Sequence, residues 1–113
     1  MRTLLAIAAA LAATPAFAQP EPAPDGKALY AEHCALCHNQ RGHASNLMGK
    51  RLGPERSIIE TRAANNAQFI AFVVRHGLGS MPPLRRAELS DAELKAMTDY
   101  LTQPQTARQG TRP

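Results

Sequence analysis

The stretch GKALYAEHCALCH, Gly26 to His38, holds both cysteines of the chain, three residues apart, with a histidine directly after the second. Ahead of the thiols, Leu29, Tyr30 and Cys34 fall at helical spacing, and Lys27, Glu32 and His33 are left for solvent. Asp25 stands where a helix N-cap is needed. The pattern predicts a helix that delivers two thiols and an imidazole to its C-terminal end.

Working outward, Asn39 to Arg56 carries Gly42, Gly49, Gly53 and Pro54 and reads as a long loop. Ser57 to Arg62 reads as one helical turn. Asn65 or Asn66 then caps AQFIAFVVRH, with Asn65 and Gln68 at capping-box spacing. Phe69, Ile70, Phe72, Val73 and Val74 make that segment apolar nearly all round, which predicts a central buried helix ended by Gly77. Ser90 to Glu93 is a second capping box, followed by the stripe Leu94, Met97, Leu101 with Tyr100 beside it. No alternating strand pattern occurs, so an all-α fold of three to five helices is expected.

The first 18 residues read as a signal peptide. Arg2 precedes the uncharged run LLAIAAALAA (4–13), and Ala16-Phe17-Ala18 is a small-x-small cleavage pattern. A membrane span needs roughly 20 apolar residues, more than this run provides. Cleavage after Ala18 and delivery to an oxidising compartment, the periplasm, are expected. Residues 19–24 (QPEPAP) then form a proline-rich lead-in, 25–102 the folded domain, and 103–113 a polar flexible tail. A domain that small, without tryptophan, needs a covalent or metal staple to supplement its core.

The chain has 13 basic and 9 acidic side chains. Basic residues gather at Arg41, Lys50, Arg51, Arg56 and Arg62, with Arg75, Arg85 and Arg86 further on, whereas Glu88, Asp91, Glu93 and Asp99 make the last helix acidic. Mild basicity without interleaved aromatics argues against a nucleic-acid partner. It suits either a rim that steers an acidic partner or a plain solvated surface.

Cys34-Ala35-Leu36-Cys37-His38 has the spacing of covalent c-type haem attachment. Two thiols add to the two vinyl groups, and the adjacent histidine falls beneath the iron as its proximal ligand. A thioredoxin-like dithiol would follow a strand, and none precedes it here. A zinc site from Cys34, Cys37, His38 and His43 would strain the tetrahedron, since His38 adjoins Cys37. A disulfide enclosing two residues would stabilise little.

A bound haem iron has a sixth position. In HGLGSMPPL (76–84), Met81 stands between the Gly77/Gly79 approach and the rigid Pro82-Pro83, in a loop that could present a thioether. Met48 competes but lacks the proline brace, and Met97 reads as a core residue. His43 or His76 would instead give a bis-histidine site, and His33 is expected on the solvent side of the first helix.

Together, GKALYAEHCALCH, the LGP of 52–54, VVRHGLGSMP and LSDAELKAMTDYL resemble the class I c-type cytochromes over nearly all of 25–101. The resemblance implies the small cytochrome c fold wrapped around one haem c. It also implies a crossing of the first helix, at Gly26 and Tyr30, with the last near Tyr100. Further, it implies that the Pro54 carbonyl accepts from Nδ1–H of His38, orienting the ring. VVRHGLGSMPPLRR is similar to cytochrome subunits of p-cresol methylhydroxylase-type flavocytochromes, which receive electrons from a flavoprotein. The expected function is one-electron transfer between a redox donor and acceptor by an exported, non-catalytic protein with His38 and Met81 on the iron. The alternative is a tightly bound electron-transfer subunit of a periplasmic dehydrogenase.

Overall fold

In the computed structural model, Asp25 accepts hydrogen bonds from the backbone of Lys27 (2.9 Å) and Ala28 (3.3 Å), starting helix α1 at Gly26–His33. The structure describes residues 22–109. The expected signal peptide, the start of the lead-in and the last four residues lie outside them.

A bend at Cys34 separates α1 from the short α2, Ala35–His38. The stretch expected to be a loop then folds into α3, His43–Leu52, and a 3-10 turn, Pro54–Arg56. Its glycines explain the discrepancy. Gly42 and Gly53 lie at the two ends of α3, and Gly53 has the positive φ (95°) that ends a helix cheaply. Gly49 lies inside, where a Cβ would come 3.2 Å from the Ser57 Cβ. The helical turn expected from Ser57 to Arg62 is only a non-helical turn at 59–61.

Helix α4, Ala67–His76, is capped by Asn66, whose side chain accepts from the Phe69 N–H at 2.8 Å. Asn65, the other candidate cap, instead donates to the carbonyls of Ile59 and Leu101, both at 2.9 Å. Helix α5, Asp91–Thr102, starts with the expected capping box between Ser90 and Glu93.

The core lies where α1 and α4 pack on α5. Tyr30, Val74, Leu89, Leu94, Met97, Tyr100 and Leu101 form it. Full burial of a side chain such as Met97 or Leu101 contributes about 1.5–3 kcal/mol, so this single layer is a modest core. The crossing of α1 with α5 needs Gly26. A Cβ there would stand 2.2 Å from the Ala96 carbonyl oxygen.

Helix α4 is not buried all round. Val73 and Val74 face inward, but Phe69 and Phe72 are each 58% exposed. With His76 they occupy one face at i, i+3 and i+7, and among the described residues no element covers it.

Part of the expected polar tail folds as well. Gln105–Gln109 forms a short helix, α6, and Arg108 donates to the carbonyls of Glu60 (2.5 Å) and Arg62 (2.8 Å). Its guanidinium does what apolar content could not, because a charged donor on backbone oxygens anchors a polar segment.

Among the described residues the protein is all-α, with one isolated bridge between Leu78 and Met81 and no strand. No described helix is long and apolar enough to cross a membrane.

Candidate functional site

Both thiols are free, Cys34 half-buried and Cys37 exposed. Cys34 Sγ lies 3.5 Å from the Met97 sulfur, against the core. Burial, reinforced by Cys37, pushes the Cys34 thiol up to about 11. The bend is tight: a Cβ on Gly42 would stand 2.1 Å from the Cys37 carbonyl oxygen. This glycine lets the chain turn back directly behind the cysteines.

His38 is buried, and its Nδ1 has no hydrogen-bond partner. Its backbone carbonyl accepts from the buried Tyr30 hydroxyl at 3.2 Å. Burial first, then the nearby Arg62 charge, hold the imidazole below its ordinary pKa. It is therefore neutral at pH 7, the form that ligates metals. Among the described residues no three His, Cys, Asp or Glu side chains gather as a metal cluster, which leaves the zinc reading without a ligand set.

Met81 is half-buried and packs on the core cluster. Its loop is built by backbone bonds in both directions with Leu78, at 3.0 and 3.1 Å. Gly79, with φ 60°, is the first central residue of that turn, as a type II′ turn requires. A shallow depression runs along His76–Pro83, with Met81 in its wall. Met48 instead lies within α3. His76 is exposed, stacks on Phe72 at 4.2 Å between ring centroids, and bonds the Phe72 carbonyl through Nδ1 at 2.8 Å. His43 is exposed at the start of α3, while His33 is half-buried at the end of α1.

Arg75 has a role that its sequence context did not reveal. It donates to the carbonyls of Leu84 (3.0 Å) and Leu89 (2.8 Å) and to Asp91 Oδ1 (2.9 Å). The guanidinium thus staples the segment after Met81 to α4 and α5. Arg86 pairs with the other Asp91 oxygen at 2.8 Å, and Arg85 pairs with Glu88 at 3.3 Å. These three arginines are engaged with their own chain, which weakens the picture of a free basic rim.

The Pro54 carbonyl accepts from the Ser57 N–H (3.2 Å) and the Ser57 hydroxyl (2.6 Å). The 3-10 turn, which folds the carbonyl back onto residue i+3, accounts for this.

Residues 21–101 match the sequence model of the family described as cytochrome c oxidase, cbb3-type, subunit III. The chain belongs to this family. No curated protein and no solved structure matches it. It is therefore a c-type cytochrome working in electron transfer, and membership implies haem c. The residues of this cytochrome fit such a group. Two free thiols and a neutral, buried imidazole with an unsatisfied nitrogen stand on one bend. The Phe69–Phe72 face of α4 also offers apolar surface that a flat macrocycle would cover.

Proposed function

We propose that this cytochrome is an exported carrier of single electrons with one haem c, attached through Cys34 and Cys37 and ligated by His38 and Met81. The observation that carries the reading is His38, buried and neutral one residue after the second thiol, with Nδ1 unpartnered. When bound, the group supplies reversible one-electron chemistry at its iron. The chain's own part is positional. Tyr30 holds the His38 peptide, and Arg75 holds the segment that follows the Met81 loop. His38 and Met81 would both hold the group's iron, which would leave it no position for substrate and supports an electron-transfer role rather than an enzymatic one. The apolar run 4–13 with its Ala16-Phe17-Ala18 pattern supports export to the periplasm.

The test is expression in a host equipped for c-type maturation. Denatured protein should keep one haem per chain, and replacing either cysteine should weaken or abolish attachment. Met81→Ala should remove the far-red methionine–iron absorption band while leaving the covalent haem. Survival of the band would move the ligand to Met48.

A second reading, a tightly bound subunit of a larger oxidoreductase, is favoured by the family's description as an oxidase subunit and by exposed Leu78. Its partner would be a terminal oxidase or, from the similarity of VVRHGLGSMPPLRR, a flavoprotein dehydrogenase. Co-purification of an intact complex at high salt would favour this reading, and a monodisperse monomer in native extract would favour the free carrier.

A further inference from the structure

Residues 57–66, between the 3-10 turn and α4, form no regular helix. Such a segment keeps its shape only where other groups of the chain fasten its backbone and polar side chains. Its ends are tied to the core. Ile59 packs against the core cluster, and Asn65 donates to the Leu101 carbonyl of α5 at 2.9 Å. Between them, the Tyr100 hydroxyl reaches the Glu60 carboxylate at 2.5 Å. The backbone at the centre is held from another direction, by Arg108 on the carbonyls of Glu60 and Arg62 at 2.5 and 2.8 Å.

Arg108 differs in kind from the α5 contacts. Tyr100 and Leu101 belong to a helix that the core holds in place. Arg108 belongs to the five-residue α6, beyond the residues 21–101 that match the family. A helix that short has no stability of its own in water. From Thr102 to Arg108 only the arginine is buried, at 5% exposed. A guanidinium that bonds two carbonyls of one turn therefore orders both sides, α6 through the turn and the turn through α6.

We infer that α6 is a clasp on the 60–62 backbone, closed by Arg108, which opens and closes as one unit with that turn while α1, α4 and α5 stay folded. The inference goes beyond the electron-transfer reading and does not depend on it. Withdrawing Arg108 uncovers little apolar surface, since most of its neighbours in 102–107 are already in water. Opening therefore costs far less than parting α1 and α4 from α5. The turn also carries Arg62, whose charge reaches the buried His38 ring, so the clasp adjoins the thiol–imidazole bend without belonging to it.

The experiment is amide hydrogen exchange of the holoprotein, followed residue by residue by NMR. The reporters are the Arg62 N–H on the Ile59 carbonyl (3.3 Å), the Ala107 N–H on the Pro104 carbonyl (2.9 Å) and, in α5, the Leu94 N–H on the Ser90 carbonyl (2.9 Å). In the wild type, Arg62 and Ala107 should exchange through one common opening, well before Leu94. In Arg108→Gln both should exchange about tenfold faster or more, the factor expected from losing charge-assisted bonds, with Leu94 unchanged. Arg108→Lys keeps the charge without the fork and should restore only part of the protection. Thr106→Ser, at an exposed position of α6, should leave all three rates at wild-type values. The inference is overturned if wild-type Ala107 exchanges independently of Arg62, or if Arg62 exchanges only together with Leu94. It is equally overturned if Arg108→Gln leaves Arg62 unchanged or accelerates Leu94 as much.

Discussion

The Tyr30 hydroxyl donates to the His38 carbonyl at 3.2 Å, tying a residue 2% exposed in the α1–α5 core to the residue after the second cysteine. The Tyr30 ring lies 6.3 Å from that of Tyr100, whose hydroxyl reaches Glu60 at 2.5 Å. The site is therefore anchored to the same contact that joins α1 and α5. Burial, with the Glu60 charge behind it, drives the Tyr30 hydroxyl well above the usual phenol range, so it remains a donor at any working pH.

Tyr30→Phe keeps the ring and removes only the donor. It should destabilise the protein by about 1–2 kcal/mol, the cost of leaving a buried carbonyl short of a partner. In a domain this size that lowers Tm by roughly 4–8 °C per kcal/mol. Thermal unfolding of the holoprotein would check it, and an unchanged Tm would show that the bond contributes nothing.

Gly26→Ala should cost about 1–3 kcal/mol or more. The added methyl would meet Ala96 backbone oxygen at 2.2 Å, and backbone cannot swing aside as a side-chain tip can. The helices must separate, loosening the contact of Tyr30 with Tyr100. Denaturant titration should show a lower midpoint. Gly79→Ala, with nothing within 4 Å, makes a useful contrast, since any penalty there comes from its φ of 60°.

How much of this could be read beforehand depended on how local the signal was. The Ser90–Glu93 capping box and the Leu94–Met97–Leu101 stripe are complete within a dozen residues, and the structure reproduces both. The Asp25 cap and the end of α4 at Gly77 are equally local. α3 was hidden because glycine signals loop and helix end alike, and Gly49 owes its place to Ser57, eight residues on. The role of Arg75 depends on carbonyls nine and fourteen residues away, and that of Arg108 on carbonyls 48 and 46 residues away. No composition or period encodes such bonds. Phe69 and Phe72 read as core because they are apolar, but among the described residues nothing supplies the surface they would cover.

Arg75→Gln should free the 84–89 segment from α4. Two carbonyls lose a charged donor, which should cost about 2–3 kcal/mol. Since that segment follows directly on the loop bearing Met81, the far-red methionine band of the holoprotein should weaken before the fold is lost. A variant with lowered Tm and an undiminished band would separate Arg75 from the ligand loop.

Asp91 receives two arginines, Arg86 and Arg75, one on each oxygen, and their hydrogen bonds hold its carboxyl below the ordinary range. A carboxylate with a folded pKa lower than its unfolded one contributes stability above the unfolded value, near 3.8, and loses it as pH falls through the folded pKa. Stability should therefore decline below about pH 4 by a component that Asp91→Asn removes. The same substitution at pH 7 should weaken the Arg75 staple without abolishing it, because the Leu84 and Leu89 carbonyls remain as acceptors. In a double-mutant cycle, Asp91→Asn should therefore be less damaging in the Arg75→Gln background than in wild type. Additive losses at pH 7 would mean that Asp91 acts through Arg86 alone.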